Sequence, residues 1–184
     1  MMPLSSTATQ DVSILKIYTG PCILMGAFIV WLTWVSAGVH PPADAKSLLS
    51  PMGGLFSLIV VVWVLMVVVR NGSIIFGHIS LDYFADYHAK NLTNDLIERP
   101  ARVFNNLMQV PQYFYIICIL MILFENVDAL QLTLAWAFVV LRTVHCIIYL
   151  ALNWVPYRFA SWALSCITLC ILWYRFFDQM VLVF

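Results

Sequence analysis

Of the 184 residues 63% are hydrophobic and only 10% are charged, more apolar sequence than a soluble domain of this size needs. Nine basic residues balance nine acidic ones without a polybasic run, so nothing points to nucleic acid or an anionic lipid surface as a partner. A mean hydropathy of +0.93 and apolar runs that are continuous rather than alternating disfavour a β-barrel and predict a multi-pass, all-α membrane protein.

Residues 1–13 are small and polar, which predicts a short exposed arm. The first apolar run, about Ile14 to Ala37, is long enough to span a bilayer. It is expected to be a span rather than a signal peptide: Asp11 and a lone Lys16 make a poor basic region, and the run is too long, although Ser36-Ala37-Gly38 resembles a cleavage region. A loop follows at His40 to Lys46, and Pro51, Gly53 and Gly54 punctuate the chain before the second span. That span, about Leu55 to Val69, is short at 15 residues, which leaves room for the helix to pass Arg70 towards Phe76. Residues 77–101 mix charge, aromatics and turn formers and read as the main polar loop, with an interfacial helix around Tyr83 and Phe84. Pro100 suits the first turn of a third helix running from about Arg102 to Phe124. Glu125 to Asp128 is a tight turn, and a fourth span runs from about Leu130 to Leu152. Asn153 to Arg158 forms the next loop, before a fifth span from about Phe159 to Trp173 that ends near Arg175 and Asp178. The expectation is five spans in one domain, residues 1–184, with no internal repeat.

Basic residues place the loops. Arg70, Lys90, Arg99, Arg102 and Arg158 share one side with Lys16, and only Lys46 and Arg175 fall on the other. The first side, with the N-terminus and the 70–102 loop, is therefore expected to be cytoplasmic, and the C-terminus to lie across the membrane. Two sequons, at Asn71 and Asn91, would then stay unmodified. The five cysteines lie in apolar stretches without metal or disulfide spacing, as buried free thiols do.

Two polar stripes break the apolar pattern. Arg102, Asn106, Gln109 and Tyr113 are spaced 4, 3 and 4 apart, which on a helix confines them to a wedge of about 60°. Arg142, His145, Tyr149 and Asn153 are spaced 3, 4 and 4 apart and form a second stripe about 80° wide. Polar groups on one face of a membrane helix are costly unless they meet protein, water or a ligand. The third and fourth helices run in opposite directions, so each stripe reaches roughly 16 Å inward from the same side. Tyr113 and Arg142 are then expected at similar depth, with Arg102 and Arg158 capping the mouth. Such a cationic crevice suits a small anion with an apolar partner, because Arg holds carboxylates in paired hydrogen bonds and favours a bound thiolate. Asn, Gln and Tyr also join membrane helices by hydrogen bonds alone, an ordinary alternative for Asn106 and Gln109. A haem on His145 would lack a second intramembrane His, and no cluster supports metal chemistry or a Ser/His/Asp triad.

With these residues in view, the chain resembles the MAPEG family, the membrane-associated proteins in eicosanoid and glutathione metabolism. The similarity covers about Met52 to Trp173, some two-thirds of the chain. Arg102-x3-Asn106-x2-Gln109-x-Pro111-x2-Phe114-Tyr115 looks like the family's Arg-x3-Asn-x2-Glu stretch, in a form closest to a bacterial branch. Ala135 to His145, followed by Asn153 and Arg158, is similar to the third family helix and its exit loop.

The resemblance implies a four-helix bundle over residues 52–184, here with one additional N-terminal span in residues 1–51, and a homotrimer binding glutathione between subunits on the cytoplasmic side. Carried over residue by residue, Arg102 and Asn106 would grip the carboxylate and backbone groups of glutathione, and Tyr149 would contact it. Gln109 stands where a Glu binds the ligand's amino group, and Arg158 and Arg142 are both candidates for the thiolate-activating Arg. Tyr113, His145 and Asn153 complete the candidate site from the stripes themselves. The neutral Gln109 turns a charge-assisted hydrogen bond into an ordinary one, a loss of about 1–2 kcal/mol. Two functions follow: a glutathione-dependent transferase or peroxidase acting on apolar substrates, or a non-catalytic accessory subunit of a larger membrane assembly. Retention of Arg102, Asn106, Tyr149 and Arg158 favours the first, and Gln109 with the added span favours the second.

Overall fold

The computed structural model describes residues 5–76 and 95–181, with side chains from residue 17 onwards, and all regular elements among them are helical. In chain order these are α1 (Ser5–Ser36), a 3₁₀ turn (Ala45–Leu48), α2 (Leu49–Ile75), α3 (Asp95–Gln109), α4 (Pro111–Leu123), α5 (Ala129–Ile147), a π-helical turn (Ile148–Leu152) and α6 (Val155–Val181). Since α3 and α4 together form one span, five segments of 20 to 31 residues among the described residues are long and apolar enough to cross a bilayer. The architecture is a four-helix bundle with one N-terminal span added.

Several boundaries differ from the sequence expectation, each for a local reason. The expected arm is helical from Ser5, so α1 continues well before the apolar run. α2 does pass Arg70 and ends at Ile75. The helix expected to begin near Arg102 begins at Asp95, and Pro100 sits inside it rather than in its first turn. The acidic Asp95 and Glu98 in that first turn favour an earlier start, because they complement the helix dipole. The rest of the expected polar loop, including Tyr83 and Phe84, lies outside the described residues. The third span is not continuous either: Pro111 has no N–H to give, so α3 stops at Gln109 and α4 restarts with Pro111 at its first position. Arg158 lies in the first turn of α6 and not in a loop, because that helix starts at Val155 and runs on past Arg175 to Val181.

Lipid tails are as apolar as the core, so burial alone does not hold these helices together; packing and interhelical hydrogen bonds do. α5 and α6 form the most extensive pair, α2 packs beside α3, and α1 lies against α6. The shared core includes Leu55, Ile117, Met121, Leu134 and Leu172, with the Phe114 and Phe138 rings stacked at 4.7 Å between α4 and α5. Gly20 permits the approach of α1, since a Cβ there would collide with the Tyr157 hydroxyl on α6. Cys118 and Cys146 are buried free thiols as expected, whereas Cys22 and Cys170 are exposed on the outer surface.

One end of the bundle is clasped by Asp128. Its carboxylate accepts the Gln131 amide at 2.8 Å while Gln131 Oε1 accepts the Asp128 N–H at 2.8 Å, a reciprocal cap that starts α5. The other carboxylate oxygen accepts from Arg175 at 2.6 Å and Gln179 at 2.8 Å, both on α6. The loop after α1 joins by backbone pairing, with Ala43 N–H donating to Val127 at 2.9 Å and Ala129 N–H to Pro41 at 3.0 Å. Three separate stretches thus meet around Asp128, two of them at its carboxylate. Asp128→Ala is expected to remove the cap and strand Arg175 and Gln179, lowering stability by about 2–4 kcal/mol; unfolding in mixed micelles measures this, and a loss under about 1 kcal/mol would show that the clasp is dispensable.

Candidate functional site

At the opposite end, the polar stripe of α5 turns inward. Arg142 has no exposed surface and His145 keeps only 3% of its own, which places a guanidinium and an imidazole one turn apart inside the seam among α3, α5 and α6. Arg142 Nη1 donates to Asn106 Oδ1 on α3 at 2.9 Å. Its guanidinium carbon lies 5.4 Å from the Phe138 ring centroid, a cation–π contact worth about 1–2 kcal/mol when desolvated. The other two guanidinium nitrogens, Nε and Nη2, are buried with no hydrogen-bond partner among the described residues.

Arg158 organises the mouth. Its Nη1 donates to Asn153 Oδ1 at 2.6 Å, and its guanidinium stacks 4.1 Å from the Tyr149 ring centroid. Asn153 can take its left-handed φ of 50° because Asn tolerates that region, and its N–H closes the π turn on Ile148 at 2.7 Å. The Arg158 carbonyl in turn holds His145 Nδ1 at 2.9 Å. Tyr149 and His145 meet edge to face, with ring centroids 6.0 Å apart.

The two stripes therefore meet, but not at the expected rung. Arg142 lies level with Asn106 rather than Tyr113, because the break at Pro111 interrupts the helix between them. Tyr113 is 53% exposed, and Gln109 is exposed as well; both face away from the Arg142 seam. Arg102 does not cap the mouth with Arg158: it is exposed and pairs with Asp95 seven residues earlier on its own helix. The arginine that does cross over is Arg99, which pairs with Asp95 and donates to the Leu150 carbonyl of the π turn at 3.0 Å. Sequence reasoning missed Asp95, Arg99 and Ser161. The first two were legible, since spacings of 4 and 7 from Asp95 to Arg99 and Arg102 put all three on one helix face.

A model of the MAPEG family matches residues 48–177, from the last residue of the 3₁₀ turn into the final turns of α6. The chain belongs to the MAPEG family. Among MAPEG features, the match takes in both polar stripes and the Arg158 mouth, while α1 falls outside it. No curated protein and no solved structure matches the chain. Among the described residues of this MAPEG protein, no group of three His, Cys, Asp or Glu is placed to hold a metal ion.

The Asn106–Arg142 hydrogen bond carries a clear energetic expectation. Asn106→Leu removes the one side chain bonded to a fully buried guanidinium and should cost about 2–3 kcal/mol. The double variant Asn106→Leu/Arg142→Met should recover most of that loss, because both polar partners are then gone. Unfolding of the two variants side by side tests this, and a double variant weaker than the single one would contradict it.

Proposed function

We propose that this MAPEG protein is a glutathione-dependent transferase or peroxidase acting on apolar substrates that reach it from the bilayer. The observation that carries the reading is Arg142: a buried cation on a membrane helix, bonded to the neutral Asn106 and keeping two unpartnered N–H-bearing nitrogens. An Arg keeps its charge across the working pH range, and a buried charge needs an opposite one beside it. A thiolate meets that need, and stabilising it produces the nucleophile. Arg158 stands at the mouth with Tyr149 and Asn153, where a ligand carboxylate can accept from its remaining N–H groups.

Asn106 stands in the seam, while Arg102, Gln109 and Tyr113 lie on the exposed outer face of α3 and α4. The exposure of Gln109 and Tyr113 suits a homotrimer in which a neighbouring subunit closes over them. Arg70, Arg99, Arg102 and Arg158 all belong to the loops and helix ends on this side, which supports a cytoplasmic mouth and a C-terminus across the membrane. Gln109 fits an ammonium group less well than an acid would. The second reading, an accessory subunit of a larger assembly, draws on α1, which lies outside the family match and covers part of α6.

Equilibrium binding of labelled glutathione to the purified full chain in lipid nanodiscs separates these readings. Wild type should bind saturably, Arg142→Met should not, and Gln109→Glu should bind about 5–30-fold tighter, as a restored charge-assisted hydrogen bond worth about 1–2 kcal/mol requires. Absence of binding by wild type and Gln109→Glu alike would overturn the enzyme reading and leave the accessory subunit.

A further inference from the structure

His145 has one ring nitrogen committed and the other unpartnered. Its Nδ1 lies 2.9 Å from the Arg158 carbonyl oxygen, which can only accept, so Nδ1 carries a hydrogen. Ser161 Oγ donates to the same carbonyl at 3.0 Å and stands 3.5 Å from Nδ1, so two groups of α6 fix the ring. In the neutral imidazole the lone pair is then on Nε2, which is buried without a hydrogen-bond partner among the described residues. One turn earlier, Arg142 Nε and Nη2 are in the same condition. A buried acceptor and two buried donors therefore lie one helical turn apart unsatisfied, on side chains 3% and 0% exposed. Among the described residues, the structural clasp at Asp128 leaves a single guanidinium nitrogen, Arg175 Nε, without a partner, whereas three nitrogens on two residues one turn apart are unpartnered here. One ligand group satisfies both residues here: an acidic X–H that leaves its proton on His145 and its charge beside Arg142.

We infer that His145 is the base and acid of the thiol transfer proposed above, an assignment that rests on that reading. On binding, Nε2 takes the S–H proton, and the sulfur keeps the bonding pair as a thiolate held by Arg142. With an apolar α,β-unsaturated carbonyl compound as acceptor, the sulfur pair forms the C–S bond at the β carbon. The C=C π pair moves to the α carbon as an enolate, and Nε2–H returns its proton there. The thiol has added across the double bond, His145 is regenerated, and nothing else is consumed. Arg158, through its carbonyl, and Ser161 are positioning residues that keep the Nε2 lone pair free. The charged groups facing His145 are Arg142 on its own helix and Arg158 on α6. Cys146 and Cys166 face Arg142, and α3 contributes the neutral Asn106.

The test uses the full chain in nanodiscs and the variant His145→Asn, whose side-chain N–H can still serve the Arg158 carbonyl while Nε2 is removed. S-Methylglutathione, which has no thiol proton to give up, should bind within about threefold of its wild-type affinity, while glutathione itself binds more weakly than to wild type. Conjugation to a long-chain enone at neutral pH should fall on the order of 100-fold, with a residual rate that climbs with pH as free thiolate replaces the lost base. Wild-type rate and pH profile in His145→Asn would overturn the assignment and leave the transferase reading standing, whereas no binding by wild type would remove both. A second measurement needs no variant: calorimetry in buffers of different ionisation enthalpy, with ultraviolet difference spectra of glutathione against S-methylglutathione. A thiolate band without proton release to buffer is expected. A thiolate band with about one proton released per ligand, or no thiolate band, overturns the role of His145.

Discussion

A guanidinium with no exposed surface, two-thirds of the way along a membrane helix, is the constraint around which this bundle is arranged. Transfer of such a group into hydrocarbon is unfavourable by several kcal/mol even by the mildest scales, so the neighbouring helices have to supply what water would. α3 supplies Asn106, α5 itself supplies the Phe138 face, and α6 closes the seam from the other side. Because lipid gives the helices no hydrophobic reason to associate, these polar contacts and the Phe114–Phe138 stack specify which faces meet. The partnering is incomplete: among the described residues, Arg142 and His145 hold three of the unpartnered buried nitrogens, against one, Arg175 Nε, on the side chains bonded to Asp128.

The two ends of the bundle are built on opposite principles. At Asp128 the polar groups on the facing elements are largely satisfied by one another: a reciprocal cap, an arginine, an amide and two backbone pairings converge there. At Arg158 the helix widens into a π turn, a left-handed Asn reverses the chain, and the Leu150 carbonyl is held by Arg99 from another helix. Irregular backbone of this kind frequently accompanies functional sites. Rigidity at one end lets the other carry unsatisfied groups without loss of the fold.

The span count and the two stripes were legible because their signals are strong and local: long apolar runs, and polar residues at spacings of 3 and 4. The meeting of the stripes followed from helix direction alone. What failed was the rung, and the cause was Pro111, which was read as part of a continuous helix although it has no N–H to donate. The start of α3 failed for a different reason. Residues 95–101 are polar enough to pass for loop, yet Asp95, Arg99 and Arg102 carry the helical spacing that ties them together. No pattern in the sequence could have announced Ser161 or the Arg158 carbonyl as partners of His145, since both depend on how the π turn brings α6 back beside α5.

The added helix connects to the site through a short chain of contacts. α1 approaches α6 where Gly20 leaves room for Tyr157, whose ring packs 5.8 Å from Trp154 in the reversal after the π turn. Tyr157 immediately precedes Arg158, the residue whose side chain shapes the mouth and whose carbonyl fixes the His145 ring. An element outside the family match thus bears on the residue next to the one that sets the tautomer of the buried imidazole. The helix that sets this chain apart from the four-helix pattern is thus in contact with the turn of α6 that carries the Arg158 carbonyl.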